Sequence, residues 1–167
     1  LGITEADEPH DSFLDNALAK ARHASRVSGL PALADDSGLC VDALGGAPGV
    51  QSAYFAGREG TREERDARNN ARLVAALRGA ADRSAFYYCV LVMLHGPDDP
   101  APLVADAQWH GTVVLEPRGS NGFGYDPHFR TAERGLTAAE LDPALKNRVS
   151  HRGRALARLA ERLAARR

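Results

Sequence analysis

The sequence predicts an α/β fold in which helices cover a mixed β-sheet. Apolar stretches of strand length alternate along the chain with segments that carry helix-capping signals. Two of the apolar stretches are joined by a turn, which indicates an antiparallel hairpin rather than a regular series of parallel units. The 167 residues, 44% hydrophobic and 26% charged, are typical of one folded domain with about five strands and four helices.

Four segments carry the signals of a helix start. Each has Ser, Thr or Asp at the N-cap, and three have an acidic residue three positions later, which is the capping-box pattern. The last segment places Leu156, Leu159 and Leu163 at helical spacing, which predicts a buried face. We therefore predict helices over residues 13–28, 61–78 and 150–165, and a short helix from residue 137.

Apolar runs between these helices predict the strands. Residues 85–94 are the strongest strand candidate, and residues 103–115 return after a Gly- and Pro-rich turn as one long strand or two, so the pair forms the hairpin. Residues 30–34 and 39–44 predict two short strands. The polar sequence Asp-Asp-Ser-Gly separates those two strands.

Composition excludes several classes of protein. A formal charge of −1 argues against a dedicated nucleic-acid binder, which shows a clustered basic surface. Cys40 and Cys89 lack metal-ligand spacing, which argues against a zinc site or a disulfide scaffold and favours reduced thiols in a cytoplasmic protein. No run approaches the roughly 18 apolar residues that a membrane span needs.

Acidic residues form the first candidate for chemistry. Asp35 and Asp36 follow an apolar strand, and a cation such as Mg²⁺ would offset the repulsion between adjacent carboxylates. A simple turn explains the same four residues equally well. The acidic residues before the first helix could supply a second metal ligand, or form a solvated approach to a helix N-terminus. These residues are Glu5, Asp7, Glu8 and Asp11.

A glycine-rich loop over residues 119–126 is the second candidate. Its three glycines allow close approach of the backbone to a flat ligand, and Phe123 and Tyr125 could present a ring face to a base. A β-turn with an aromatic plug is the alternative. The loop matches neither the phosphate-binding P-loop nor the dinucleotide-binding pattern.

Cations near the last helix form the third candidate. His151 and Arg152 fall in its predicted first turn, where positive charge opposes the helix dipole, and Lys146 precedes them. Residues that break a local rule are candidates for function, and these three donors could meet an anion or a keto oxygen. The arginines of the helix from residue 62 alternate with acidic residues, which predicts a solvated face.

Taken together, these segments resemble the inosine triphosphate pyrophosphatases, also called Ham-type noncanonical purine nucleotide pyrophosphatases. The resemblance extends over nearly the whole chain, with its motifs in the family's order. The matching segments are SFLDNALAKA (12–21), LPALADDSGL (30–39), VDALGGAPGV (41–50), GFGYDP (122–127) and SHRG (150–153).

The resemblance implies a fold, an activity and a set of roles. It implies an elongated mixed sheet with two lobes around a central cleft, a cytoplasmic homodimer, and Mg²⁺-dependent hydrolysis of ITP, dITP and XTP to the monophosphate and pyrophosphate. Glu8 and Asp36 match metal ligands, and Asp36 also matches the catalytic base. The positions that match substrate contacts are Asp35, Ser37, Phe123, Gly124, Tyr125, Asp126, Lys146, His151 and Arg152.

One part of the family pattern is missing from the sequence. The family begins with a strand and a Ser/Thr-x-Asn-x-x-Lys segment that grips the triphosphate, and residues 1–12 do not match it. We therefore expect residues 1–167 to be a single domain of this kind without that first segment. A related hydrolase with another base specificity and a non-catalytic nucleotide-binding protein remain alternatives.

Overall fold

The structure is a computed structural model that describes Gly2, Ala6 and residues 8–166. This part of the chain forms a four-stranded sheet in the order β1-β2-β3-β4, and β3 and β4 are antiparallel. The α/β class predicted from the sequence is confirmed. The strands and α-helices are α1 (Phe13–Ser28), β1 (Ala32–Val41), α2 (Arg62–Leu77), β2 (Ser84–Leu94), β3 (Leu103–Val113), β4 (Phe129–Thr131), α3 (Pro143–Val149) and α4 (His151–Ala164).

The predicted helix ends of α1 and α2 are confirmed because their caps form as the sequence indicates. The Ser12 hydroxyl accepts the Asp15 N–H at 3.4 Å, and Gly29 ends α1 with φ of 69°, a conformation that glycine adopts without steric cost. At the start of α2, Thr61 and Glu64 form both hydrogen bonds of the capping box.

The helix predicted from residue 137 is wrong. Thr137 and Glu140 do exchange hydrogen bonds, from the Thr137 N–H to the Glu140 carboxylate at 2.7 Å and from the Glu140 N–H to the Thr137 carbonyl at 3.0 Å. They close only a turn. The helix α3 begins after Asp142, whose carboxylate accepts two backbone N–H groups, with Pro143 in its first turn, where proline is tolerated.

The two short strands predicted over residues 30–34 and 39–44 are one continuous strand, β1. The sequence predicted that Gly38 is part of a turn, but Gly38 lies within β1. A Cβ at this position would lie 2.3 Å from the Gly49 carbonyl oxygen and 2.5 Å from Ser52 Oγ. Glycine is therefore required by a neighbouring segment that approaches the strand closely, and the strand continues through it.

The chain divides into two compact units, each with its own core. The first unit comprises the described residues of Leu1–Ser37, Cys89–Ala107 and His151–Arg167, and the second unit comprises Gly38–Tyr88 and Gln108–Ser150. In the second unit Tyr87, Trp109 and Phe129 are buried together, with 4.6 Å between the ring centroids of Tyr87 and Phe129.

The core of the first unit corrects the predicted face of α4. Leu156 is 54% exposed, whereas Ala155 and Leu159 are buried against residues of β2 and β3. The buried face thus follows a spacing of four residues, with Leu163 packed at its edge. Among the described residues, no helix combines the length and apolar character needed to cross a bilayer.

Candidate functional site

Asp36 lies within β1 and is held by two side chains of α1. It is 7% exposed. The Lys20 ammonium donates to Asp36 Oδ1 at 2.8 Å, and the Asn16 amide donates to Oδ2 at 3.4 Å. Because Asn16 and Lys20 are four residues apart, they lie on one face of the helix. Both carboxylate oxygens of Asp36 are therefore fixed in place.

Glu8 meets the same ammonium group. Lys20 Nζ lies 2.8 Å from Glu8 Oε1 as well as from Asp36 Oδ1. Asn16 holds the segment that carries Glu8, since its side chain exchanges two 3.0 Å hydrogen bonds with the backbone of His10. The structure thus brings together the two carboxylates that the resemblance assigns to a metal.

Two further acidic residues, Glu5 and Asp7, were considered as metal ligands from the sequence. Both lie outside the described residues.

The pair Asp36–Lys20 has shifted protonation equilibria. Burial raises the pKa of Asp36, and the hydrogen bond from Lys20 only partly opposes this effect. Burial lowers the pKa of Lys20, but the hydrogen bonds to Asp36 and Glu8 outweigh burial, so that its pKa is raised overall. The ammonium therefore stays charged, and it compensates a carboxylate that burial makes costly to ionise.

The donor set fits a hard divalent cation. No group of three or more His, Cys, Asp or Glu that could hold a metal occurs in the described part of the chain. Glu8 and Asp36 nevertheless converge on a single positive charge, and Mg²⁺ is commonly held by one or two carboxylates together with water and substrate phosphates. Two carboxylate oxygens that already face one cation are consistent with that kind of site.

Asp35, the neighbour of Asp36, pairs with a cation of α4. Arg152 Nε donates to Asp35 Oδ2 at 3.1 Å, and both side chains are partly exposed. His151 and Arg152 are the first two residues of α4, as predicted, and Asp35 offsets the charge that the helix dipole disfavours there. His151 is buried, and Ser37 is half-buried on β1 after Asp36.

In the second unit, Asp126 organises the glycine-rich loop. Asp126 is 3% exposed, and its Oδ2 accepts the Phe123 N–H at 2.9 Å and forms an ion pair with Lys146. The Tyr87 hydroxyl lies 3.4 Å from its other oxygen. A Cβ at Gly122 would lie 2.1 Å from that carboxylate, so the loop needs a residue without a side chain there.

Phe123 is the exposed aromatic residue of the loop. It is 50% exposed, and Lys146 Nζ lies 5.1 Å from its ring centroid. The prediction that Tyr125 also presents its ring face is wrong. Tyr125 is 4% exposed because its ring packs in the core and its hydroxyl donates to the Ser52 carbonyl at 2.8 Å.

Two residues of the predicted cluster of Lys146, His151 and Arg152 form ion pairs with different carboxylates. Lys146 pairs with Asp126, and Arg152 pairs with Asp35. A shared contact of Lys146, His151 and Arg152 with one ligand therefore stays a prediction.

Several residues around these sites were missed by sequence reasoning. Asn16, Lys20 and Tyr87 contact Asp36 or Asp126, but none of them was given a role. The spacing of Asn16 and Lys20 was a usable signal, since polar residues four apart mark one helix face. Tyr87 lies in an apolar strand, and nothing in the sequence distinguishes it from the other core aromatics.

Comparison with known proteins places the chain in a family. Residues 1–162 match the model of the Ham1 family. An α/β protein with a paired-carboxylate site and a glycine-rich aromatic loop, this chain belongs to the Ham1 family. The resemblance inferred from the sequence motifs is confirmed.

The relatives are close over most of their length. The chain is 63% identical over 163 residues to the dITP/XTP pyrophosphatase of Burkholderia pseudomallei (strain K96243), covering 98% of this chain and 78% of that protein. It is 63% identical over 161 residues to the dITP/XTP pyrophosphatase of Aromatoleum aromaticum, covering 96% and 79%. The structure of a HAM1 protein from Coxiella burnetii matches with a TM-score of 0.91 at 46% identity, covering 98% of this chain and 82% of that chain.

Proposed function

We propose that this protein hydrolyses noncanonical purine nucleoside triphosphates, namely ITP, dITP and XTP, to the monophosphate and pyrophosphate. The dITP/XTP pyrophosphatases that resemble it at 63% identity support this activity. The structural observation that carries the proposal is the convergence of Glu8 and Asp36 on one cation. Such an arrangement is suited to a reaction at a highly charged triphosphate.

Glu8, Asp36 and Lys20 have side chains suited to the reaction itself. Mg²⁺ bound by Glu8 and Asp36 would neutralise triphosphate charge and polarise the phosphorus that is attacked. Asp36 orients the attacking water and accepts its proton, a role suited to a buried carboxylate whose pKa is raised. Lys20, which holds Asp36 in place, carries a positive charge that can also attract phosphate oxygens.

Phe123 and Lys146 have side chains suited to recognition of the base. A purine can stack on the exposed part of the Phe123 ring, and base–aromatic stacking contributes roughly 1–3 kcal/mol. The Lys146 ammonium near that ring can donate to the 6-keto oxygen of hypoxanthine or xanthine. Adenine presents an amino donor at that position, which would face the ammonium without forming a hydrogen bond, and this is a costly mismatch.

The remaining predicted contacts complete the proposal. Gly124 and Tyr125 belong to the loop beside Phe123. His151 and Arg152 keep the predicted role of recognising the base and holding the nucleotide together with Lys146, and Asp35 and Ser37 keep the predicted role of further substrate contacts. The homodimer and the cytoplasmic location implied by the resemblance are retained as predictions. Analytical ultracentrifugation of the purified protein tests the homodimer.

The decisive experiment measures pyrophosphate release from ITP, dITP, XTP, GTP and dUTP, with and without Mg²⁺. We expect Mg²⁺-dependent release from ITP, dITP and XTP, and a loss of at least about 100-fold for Asp36→Asn, because general-base catalysis contributes roughly 10²–10⁴-fold. Asp42→Asn removes the same charge from an exposed position and should retain the wild-type rate.

Each alternative predicts a different result. Faster turnover of dUTP than of ITP would indicate a related hydrolase with another base specificity. Nucleotide binding without Mg²⁺-dependent turnover would indicate a non-catalytic binding protein. Unchanged turnover in Asp36→Asn would remove Asp36 from the catalytic role.

A further inference from the structure

Helix α2 contacts the glycine-rich loop through one stripe of side chains. Arg62, Asp66 and Asn70 are spaced by four residues and therefore lie along one helix face. The Arg62 guanidinium carbon lies 4.7 Å from the ring centroid of Phe123. The helix was predicted from the sequence to present a solvated face, but this stripe is in contact with the loop.

Asp66 and Asn70 hold the two sides of a single residue. The Gly124 N–H donates to the Asp66 carboxylate at 2.9 Å, and the Asn70 amide donates to the Gly124 carbonyl at 2.8 Å. Gly124 has a φ of 61°, a conformation that costs a glycine little. Because intrinsic preference does not restrict Gly124 to this conformation, its two hydrogen bonds to α2 fix the peptide groups on either side of it.

The two ends of the Asn70 amide are in different situations, although the residue as a whole is half-buried. Its Oδ1 is buried and has no hydrogen-bond partner among the described residues. An unpaired buried acceptor is unfavourable, and each such atom needs an explanation. The Asn70 amide group offsets this cost through its N–H donor, which holds the Gly124 carbonyl.

The residues fixed in this way surround a cleft. The cleft has a volume of about 380 Å³ and is lined by Arg62, Glu63 and Asp66 from α2 and by loop residues that include Phe123 and Gly124. Phe123 directly precedes Gly124, so the orientation of its ring depends on the peptide that Asp66 holds. A small shift of that peptide would move the stacking surface.

We propose that Asp66 and Asn70 are positioning residues for the base: by holding Gly124 they keep Phe123 in the orientation that stacks on the purine. This inference rests on the proposed function, because it takes Phe123 as the stacking surface. When the loop is released, only a fraction of the molecules is competent to bind, and the apparent affinity falls by that fraction. The rate of the chemical step is unaffected once the nucleotide is bound.

The test compares Asp66→Ala, Asp66→Asn and Asn70→Ala with the wild type. Equilibrium binding of inosine monophosphate is measured by calorimetry, so that affinity is obtained without turnover. We expect Asp66→Ala to raise Kd, and KM for ITP, about ten-fold, with kcat within about two-fold. Asp66→Asn removes the charge but keeps an oxygen acceptor, so it is the matched control and should stay within about two-fold of wild type.

An NMR measurement follows the same contact without any nucleotide. Exchange of the Gly124 amide hydrogen should accelerate in Asp66→Ala and remain slow in Asp66→Asn, because only the first variant loses the acceptor. For Asn70→Ala we expect a smaller increase in Kd, because Asn70 holds the peptide on the Tyr125 side of Gly124, whereas Asp66 holds the peptide that adjoins Phe123.

The outcomes separate this inference from the proposed function. A lower thermal stability of Asp66→Ala with unchanged Kd and KM would overturn the positioning role, and so would an Asp66→Asn variant as weak as Asp66→Ala. If the wild type binds inosine monophosphate in the expected pattern but does not hydrolyse ITP, the positioning role holds and the proposed activity fails. If the wild type neither binds inosine monophosphate nor hydrolyses ITP, both are overturned.

Discussion

The two units use the same local device on different targets. In the first unit, Asn16 and Lys20 of α1 hold the carboxylate of Asp36. In the second unit, Asp66 and Asn70 of α2 hold the peptide groups of Gly124. One helix therefore fixes a charged side chain and the other fixes backbone. The first arrangement suits a group that reacts, and the second suits a surface that must keep its shape.

The ion pairs of the two units differ in how far their side chains are exposed to solvent. The Lys20 and Glu8 side chains are 22% and 35% exposed, whereas those of Lys146 and Asp126 are 16% and 4% exposed. A partly hydrated pair can exchange its cation at low cost, whereas separating a buried pair leaves uncompensated charge. We therefore regard the Lys20–Glu8 contact as replaceable during function and the Lys146–Asp126 pair as a permanent part of the loop. Lys20 also compensates Asp36, whose side chain is 9% exposed, so a cation that replaces Lys20 must compensate both carboxylates.

The largest effect on stability is expected from Gly122→Ala, which tests whether the second unit tolerates any change beside Asp126. The new Cβ meets the buried Asp126 carboxylate and occupies a backbone with φ of 81°. We expect the free energy of unfolding to fall by about 3 kcal/mol, measured by urea denaturation.

Gly124→Ala is the matched control for backbone strain. Its φ is 61°, and no described residue beyond its chain neighbours comes within 4 Å of the new Cβ, so we expect a loss of only about 1 kcal/mol. Equal losses in the two variants would mean that the Asp126 carboxylate does not restrict position 122.

A smaller effect is expected from Lys20→Met, which tests whether the Lys20–Glu8 contact is replaceable. In metal-free protein the variant leaves Glu8 and Asp36 facing each other without a cation, and we expect a loss of about 2 kcal/mol, less than for a fully buried pair. Millimolar Mg²⁺ should stabilise Lys20→Met more than the wild type, because in the variant the negative charges of Glu8 and Asp36 are no longer compensated by an ammonium group.

Arg26→Met provides the control on the same helix. Arg26 forms an exposed pair with Asp98 at 3.7 Å, so its loss should change the free energy of unfolding by less than about 0.5 kcal/mol. Equal stabilisation of the wild type, Lys20→Met and Arg26→Met by Mg²⁺ would contradict a metal site at these carboxylates.

The smallest effect is expected for the cysteines, one in each unit. Burial raises the pKa of Cys40 to about 11 and that of Cys89 to about 12. A raised thiol pKa lowers the fraction of thiolate, which is the nucleophile. Neither thiol should therefore react appreciably with iodoacetamide at pH 8, and both should react in denaturant, as measured by mass spectrometry. Rapid labelling of only one cysteine would show that its unit opens locally.

Local signals in the sequence predicted most of the secondary structure. The caps of α1 and α2 determine where those helices begin, and the corresponding predictions are confirmed because capping depends on residues a few positions apart. The prediction that the strand is interrupted at residues 35–38 was wrong because it depends on a contact between residues distant in the sequence. Gly38 is required by a segment more than ten residues further along the chain, and such a contact leaves no local signature.

The site could be predicted only in part for the same reason. The sequence identified Asp36, Phe123 and Asp126 through the motifs that contain them. It did not identify Lys20 or Asp66, because their roles depend on which helix face meets which strand or loop. Arg62 shows the limit of charge patterning. It is exposed, as a solvated face predicts, and it nevertheless lies over an aromatic ring.

The discontinuity of the first unit has a consequence for protein synthesis. Its core includes Ala155 and Leu159 of α4, whereas the second unit ends at Ser150. Chains emerge from the ribosome N-terminus first, and domains generally fold as units. The nascent chain therefore contains every residue of the second unit before α4 has been made. Asp35, although made early, meets its partner Arg152 only after α4 has been made. The contacts of Gly124 with α2 can therefore form before the ion pair of Asp35 with Arg152.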